Sequence, residues 1–438
     1  MRTYCVRFAG LALLFGGLLA AQPADNTQLK QVIIFGRHSV RAPVAPNSYL
    51  NGYSAQNFPD FKVERGILTP NGETLETILG GYYRQWLMQE GLLTGNDIAD
   101  ANFAFFHANV IQRTIDTAQH LWAGMLPGAP VNVQYLTPAT AADPLFDPVD
   151  AGVAELDPQM AIASVTGRLG GNPQLVASAY TPEFALARSI LLGYSVNQAP
   201  PLPGPGTSID ATDFIANPIS ISIATAPAGV DLGGLSTYGG VIDPFVMEYG
   251  DALPVGWGQL SPTGLSQTLR ITNLILDLQF RTPYLATVQS SNVASHIIRT
   301  MVQSATGNVM GGTVGAPSAK IVALIASDVN VCGFAGLFHI DWLVPGYPPD
   351  FCGPGGALVF QLRQSQSTGE YIVRTSYIAQ TLDQLKGQTP LSLDVPPVIA
   401  PVFIPNCSVG NATFDCPLGK LVRLASQLID PHSADLVN

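Results

Sequence analysis

Charge is what this sequence has least of. Asp, Glu, Lys and Arg make up 12% of its 438 residues, and 20 basic residues face 31 acidic ones, for a net charge of −11. Phosphate backbones bind through basic surface, so nucleic acid is excluded as a partner. Cysteine is scarce too: there are 5, none in a CxxC pair, and no His/Cys cluster has zinc-ligand spacing. A metal site is therefore not indicated. Beyond the N-terminus no apolar run is long enough to cross a bilayer, because polar residues, Gly or Pro break each one. The low charge does not mean disorder. Hydrophobic residues reach 47%, enough for a large core and for two domains, or one domain with a sizeable insertion.

The N-terminus carries Arg2 and Arg7, an apolar stretch from Phe8 to Ala21, and small residues before Gln22-Pro23. That is the pattern of a secretory signal peptide, with residues 1–21 expected to be removed and no membrane partner after cleavage. A periplasmic or secreted location follows. Cys5 falls inside the signal, which leaves Cys332, Cys352, Cys407 and Cys416. Four cysteines in a secreted chain suggest two disulfides with three connectivities open, the sequence-local pairs Cys332–Cys352 and Cys407–Cys416 being the simplest.

What is present, and concentrated, is chemistry at Gln31–Pro43, QVIIFGRHSVRAP. The run Val32–Phe35 reads as a buried strand ended by Gly36. It delivers Arg37, His38 and Arg41 to one place. A neutral imidazole can attack phosphorus and form a covalent intermediate, and guanidinium forks bind phosphoryl oxygens bidentately. Their charge also disfavours imidazolium, which keeps His38 nucleophilic at acid pH. The plainer reading is a buried histidine beside unrelated surface arginines.

Further along, Leu68-Thr69-Pro70 opens a helix, with Thr69 as N-cap, Pro70 at the first turn and apolar residues recurring to Leu87. Asn102–Phe106 reads as a second buried strand and Gln112–Leu121 as the helix after it. From Pro144 to about Val255, Ala, Gly and Pro become frequent. Helices are expected near Pro158–Arg168 and Thr181–Leu192, Ala199–Gly206 is a loop, and no second sheet is expected. Leu265–Arg281 and Ser291–Gln303 read as long helices. Lys320–Ala326 is another strand, ending in Ser327-Asp328-Val329-Asn330. Ala357–Arg363 and Tyr371–Ser376 read as an antiparallel pair, and Leu418–Ile429 as a last helix. Strands that end in reactive residues suit an open α/β sheet, whose ligands bind beyond the strands' carboxyl ends.

With RHSVRAP (37–43), GILTPNGETLE (66–76), QRTIDTA (112–118), DPLFDP (143–148), LPVGWGQL (253–260), FRTPYLA (280–286), PGGALVF (354–360) and TPLSL (389–393) in this order, the chain resembles the histidine acid phosphatases, branch 2 of the histidine phosphatase superfamily. It is similar to the periplasmic phytases and glucose-1-phosphatases among them. The resemblance implies an α/β fold: a helix-flanked mixed sheet with an inserted smaller, mostly helical domain. The α/β parts are expected at 22–45, 97–143 and 261–438, and the helical cap at 46–96 and 144–260. It implies His38 as phosphorylated nucleophile, Asp328 as general acid, and Arg37, Arg41 and Arg113 as phosphate ligands, with no cofactor. It also places a disulfide at Cys407–Cys416. The partner is a small phosphate monoester: phytate and other inositol phosphates, sugar phosphates, or a broad range.

Two departures bear on activity. Ser39 stands where the family motif has Gly, and Ser327 stands where its second His precedes the acid. That His donates to the bound phosphoryl group, so Ser327 is expected in the substrate-binding set as a neutral donor. Exchanging a charge-assisted bond for a neutral one costs about 1–2 kcal/mol, a ten- to thirtyfold rate loss. The rate optimum is expected nearer neutral than in His-containing relatives. The rival reading is a phosphate-ester-binding homologue that has lost turnover.

Overall fold

The computed structural model describes residues 25–193, 219–225 and 228–435. The expected signal peptide and the Ala199–Gly206 loop lie outside these. One sheet of eight strands organises the molecule. In chain order its strands are β1 (Thr27–Arg37), β2 (Ala104–Ala108), β3 (Val133–Gln134), β6 (Ile321–Ala326), β7 (Ala357–Ser365), β8 (Tyr371–Ala379), β9 (Val398–Pro401) and β10 (Cys416–Pro417), while β4 (Ser222–Thr225) and β5 (Ala228–Asp231) form a separate hairpin. The order is β10-β8-β7-β1-β6-β2-β3, with β9 also on β8. β1, β6, β2 and β3 are parallel, and β7 turns the pairing antiparallel on the other side of β1. The sheet is thus mixed, with β1 at the switch.

β1 shows why the sheet is covered on both faces. Ile33 and Phe35 belong to one core cluster, Val32 and Ile34 to the other, as the two-residue strand period requires. On the Val32/Ile34 face lie α1 (Pro70–Gln89) and α2 (Gln112–Met125). On the Ile33/Phe35 face lie α5 (Pro283–Thr306) and α6 (Asp328–Phe338), continuous with α3 (Gly234–Ile242) and α4 (Pro262–Phe280). The last helix, α7 (Leu418–Leu428), closes the C-terminal side.

Three details differ from the sequence reading. α1, counted with the helical cap over 46–96, packs on the sheet, because its stripe Leu79, Tyr82, Tyr83 and Leu87 meets Ile34, Phe106 and Trp122. β2 begins two residues later than expected, since Asn102 is taken up as the C-cap of the short helix Asp97–Ala101 and the pairing runs on through Ala108 opposite Ile325. The β4–β5 hairpin adds a small sheet to a region read as mostly helical, with no second sheet. Its signal was the alternation Ile219-Ser220-Ile221-Ser222-Ile223.

The Cys407–Cys416 bridge is formed. Cys332 and Cys352, paired by sequence proximity, are instead two buried thiols in contact, Sγ to Sγ 2.7 Å, where α6 passes under the loop leading to β7. No helix among the described residues is long and apolar enough to cross a membrane.

Candidate active site

β1 and β6 end side by side, Arg37 opposite Ala326, so the residues after each strand share one edge of the sheet. The backbone of His38 is held on both sides: its N–H donates to the Ala326 carbonyl at 2.9 Å, and its carbonyl accepts from Gly355 N at 3.1 Å. Arg37 N donates to the Gly356 carbonyl at 2.9 Å. The next residues zip onto the segment before α1, with Ala42 N donating to Ile67 O and Thr69 N to Val40 O, at 2.9 and 3.0 Å. This contact needs Gly72, whose Cβ would stand 2.3 Å from the Val40 carbonyl oxygen.

The same segment recruits Arg113. Leu68 N donates to the Gln112 side chain at 3.0 Å, and the Arg113 Nη1 donates to Gly66 O at 3.4 Å. Residues 66–69 therefore tie the N-terminus of α2 to the loop that carries Arg41. Thr69 caps α1 as its sequence predicts, accepting from Gly72 N at 3.1 Å.

The result is a dense cationic corner. Arg37 and His38 are 1% and 2% exposed, and Arg41 is also buried. Burial pushes the His38 pKa well below its ordinary value, and Arg37, Arg113 and Arg41 push it the same way. The ring is neutral. Its Nδ1 lies 2.8 Å from the Ser39 carbonyl, which can only accept, so Nδ1 carries the proton and Nε2 keeps its lone pair. Burial and the neighbouring Arg41 lower Arg113 to about 10. Burial opposes the charge on Arg37, but Asp328 and Asp243 outweigh it and its pKa is raised. The Nε atoms of Arg37, Arg41 and Arg113 are all buried with no hydrogen-bond partner. Unsatisfied buried guanidinium donors are costly unless an anion completes them.

The opposite wall is acidic. Asp328 opens α6, with Oδ2 3.1 Å from Arg37 Nη2. A cation, Arg37, thus stands directly beside this carboxylate. Asp243, which the sequence reading missed, accepts from Arg41 Nη2 at 2.9 Å and lies 4.0 Å from Arg37. No local signal marks it, because it stands 202 residues from Arg41. Ser327 is the N-cap of α6 in a capping box with Asn330, whose Oδ1 accepts from Ser327 N at 3.0 Å.

Beneath His38 the second departure also has a consequence. Glu76 of α1 is 2% exposed, and burial raises its pKa to about 8 against the pull of the Ser39 hydroxyl. Space there is tight: a Cβ on Gly355 (φ +68°) would meet Glu76 Oε1 at 2.4 Å. The remaining histidines stand apart. His107 pairs with Asp143 at 2.7 Å and His296 with Asp435 at 2.7 Å, while exposed His339 is the left-handed C-cap of α6. Glu248, close to LPVGWGQL, is buried and accepts from Gly256 N at 2.8 Å. Among the described residues no group of three or more His, Cys, Asp or Glu is placed to hold a metal ion.

A mixed sheet carrying a neutral histidine among three arginines at its carboxyl edge defines a class: phosphoric monoester hydrolases of the histidine phosphatase type. The model of the histidine phosphatase superfamily (branch 2) matches residues 28–174. Phytase AppA of Escherichia coli K12 is 26% identical over 409 residues, 93% of each chain, and the glucose-1-phosphatase of Salmonella typhimurium is 26% identical over 421 residues, 95% of this chain and 96% of the relative. The solved Hafnia alvei phytase in complex with tartrate superposes with a TM-score of 0.83 at 28% identity, covering 94% of this chain and 100% of that one. Family model, relatives and solved structure agree in what the chain is similar to: the histidine acid phosphatases.

Proposed function

We propose that the protein is a secreted or periplasmic phosphatase that hydrolyses phosphate monoesters through a phosphohistidine on His38. Arg37, Arg41 and Arg113 hold the transferred phosphoryl oxygens with the donors that are now unpartnered. His38 Nε2 attacks phosphorus in line, the P–O ester bond breaks, and Asp328 gives its proton to the leaving alkoxide oxygen. Water then attacks the phosphohistidine, Asp328 takes its proton, the N–P bond breaks, and inorganic phosphate leaves.

One observation carries the reading: a buried neutral histidine, with Nδ1 fixed on the Ser39 carbonyl, stands among three arginines whose Nε atoms have no partner. Relatives named phytase and glucose-1-phosphatase support it over most of the chain. The rival, binding without turnover, draws on Ser327, a neutral residue that caps α6 where the resemblance expects a second His. Acid quench with a radiolabelled phosphate ester separates the two. Phosphoenzyme in the wild type, absent in His38→Ala together with turnover of a chromogenic ester, supports hydrolysis. Ester binding with neither turnover nor phosphoenzyme selects the rival.

A further inference from the structure

Beyond the cradle, Arg41, Asp243 and Asp328 open into a cavity of about 610 Å³ between α3, α4, the start of α5, the β4–β5 hairpin and the loop at 146–150. Its lining is one-sided. Among the described residues that form it, Arg41 is the one cation, against five carboxylates: Asp147, Asp150, Asp231, Asp243 and Asp328. The rest is chiefly apolar, including Phe146, Val230, Ile275 and Phe280. Two uncharged polar atoms in this wall, Thr272 Oγ1 and Gln289 Oε1, are buried with no hydrogen-bond partner. Val44 and Ala45, directly after the arginine loop, add apolar surface at the mouth.

The charges close around a single phosphoryl group. Asp243 offsets one of the three arginines, and Asp328 enters the step carrying the proton it gives to the leaving group, so one dianionic phosphoryl group matches the two positive charges that remain. A second phosphate on the same molecule would lie in the carboxylate-lined part, desolvated and facing like charge. Hydroxyl or ammonium donors suit the same wall, because carboxylates accept only and the Gln289 oxygen lacks a donor.

We propose that this cavity selects phosphomonoesters with one phosphate and an uncharged or cationic alcohol that combines an apolar body with hydrogen-bond donors, and that it rejects polyphosphorylated substrates such as phytate. The proposal rests on the phosphatase reading above and narrows it to a substrate class. Asp147 and Asp231 set the discrimination from outside the cradle. Asp147 is held by Asn109 Nδ2 at 2.9 Å, and Asp231 ends β5.

The test compares kcat/KM for glucose-1-phosphate and glucose-1,6-bisphosphate, which differ by one phosphate, alongside phenyl phosphate, 2-aminoethyl phosphate and phytate. The bisphosphate is expected about tenfold or more below the monophosphate, with phytate lower still. Phenyl and 2-aminoethyl phosphate are expected at or above glucose-1-phosphate. In the Asp147→Asn/Asp231→Asn double variant the ratio of bisphosphate to monophosphate rises about threefold or more, a readout that a merely structural role would not move. Phytate or the bisphosphate hydrolysed as well as the monophosphates overturns the proposal, as does a ratio unmoved in a folded double variant. If no ester is hydrolysed at all and no phosphoenzyme forms, it is the phosphatase reading that fails. The wild-type panel needs no variant to fold.

Discussion

The two walls of the site are built by opposite means. The cationic wall comes mostly from one stretch, with Arg113 of α2 its one distant member: β1 delivers Arg37, His38 and Arg41 within five residues, and backbone hydrogen bonds to β6, to the loop before β7 and to residues 67–69 fix them. The acidic wall is collected from far apart. Asp328 comes from the start of α6, Asp243 from the end of α3, Asp231 from a hairpin and Asp147 from a loop. The difference separates what is fixed from what can vary. In the proposed reaction the phosphoryl group is held at a strand end whose backbone is hydrogen-bonded on both sides, while the leaving-group side is carried by side chains that substitution alters one at a time. Ser327 and the carboxylates lie on that variable side.

Removing a group that both walls share gives the largest effect. Arg37 is 1% exposed, and it is the residue through which Asp328 and the phosphate donors meet. Arg37→Ala is expected to lower kcat/KM by about 10³ and to lower Tm, because Asp328 is left without its partner. Steady-state kinetics and thermal melts on the same preparation check both. Comparable loss of rate from a substitution of Arg65 or Arg84, which lie outside the cradle, would show the loss to be unspecific.

A second contrast lies under the cationic wall. Glu76 has a folded-state pKa of about 8 against 4.5 in the unfolded chain, because burial favours its neutral form. Its contribution to stability is therefore complete below pH 4.5 and is lost as the pH rises towards 8. The full span is on the order of 5 kcal/mol. His38 acts in the other direction, since its lowered pKa costs stability as the pH falls below 6.5, but it is present in wild type and variant alike. Subtracting the two curves isolates Glu76. In Glu76→Gln, Tm is expected to fall less between pH 5 and pH 8 than in the wild type, and parallel curves would remove the buried carboxyl from this role.

The two walls also differ in how far they could be read from the chain. RHSVRAP, the N-cap Thr69-Pro70 and the strand ending at Ala326 were legible because each depends on a local period or a local cap, and each takes its place in the structure. Arg113 was legible only through family resemblance; its tie to residues 66–69 is a contact across 47 positions. Asp243, Asp150 and Asp231 left no signal, and Glu76 and Asp147 stood inside family-like segments with no role attached to them. An acidic residue in sequence looks solvated until the fold buries it, and the burial that defines Glu76 comes from the packing of α1 on the sheet. α1 was itself set in the wrong layer because its apolar stripe does not say which surface it meets.

Ser327 offers the smallest effect and the sharpest separation of the walls. As a phosphoryl donor its hydroxyl would contribute to the rate; as the N-cap of α6 it contributes to stability. The capping box is the contact the structure gives this side chain, so Ser327→Ala is expected to cost about 1 kcal/mol of stability and leave kcat/KM within about twofold. Ser327→His asks the converse question. It gives up the cap, and where the new imidazole meets the phosphoryl group a charge-assisted donor is worth about ten- to thirtyfold in rate. A gain in rate with a loss in Tm would show that stability and catalysis compete at position 327. A Ser327→Ala variant as stable as the wild type but tenfold slower would move the serine back among the groups that touch the phosphate, and the acidic wall would then share in phosphoryl binding.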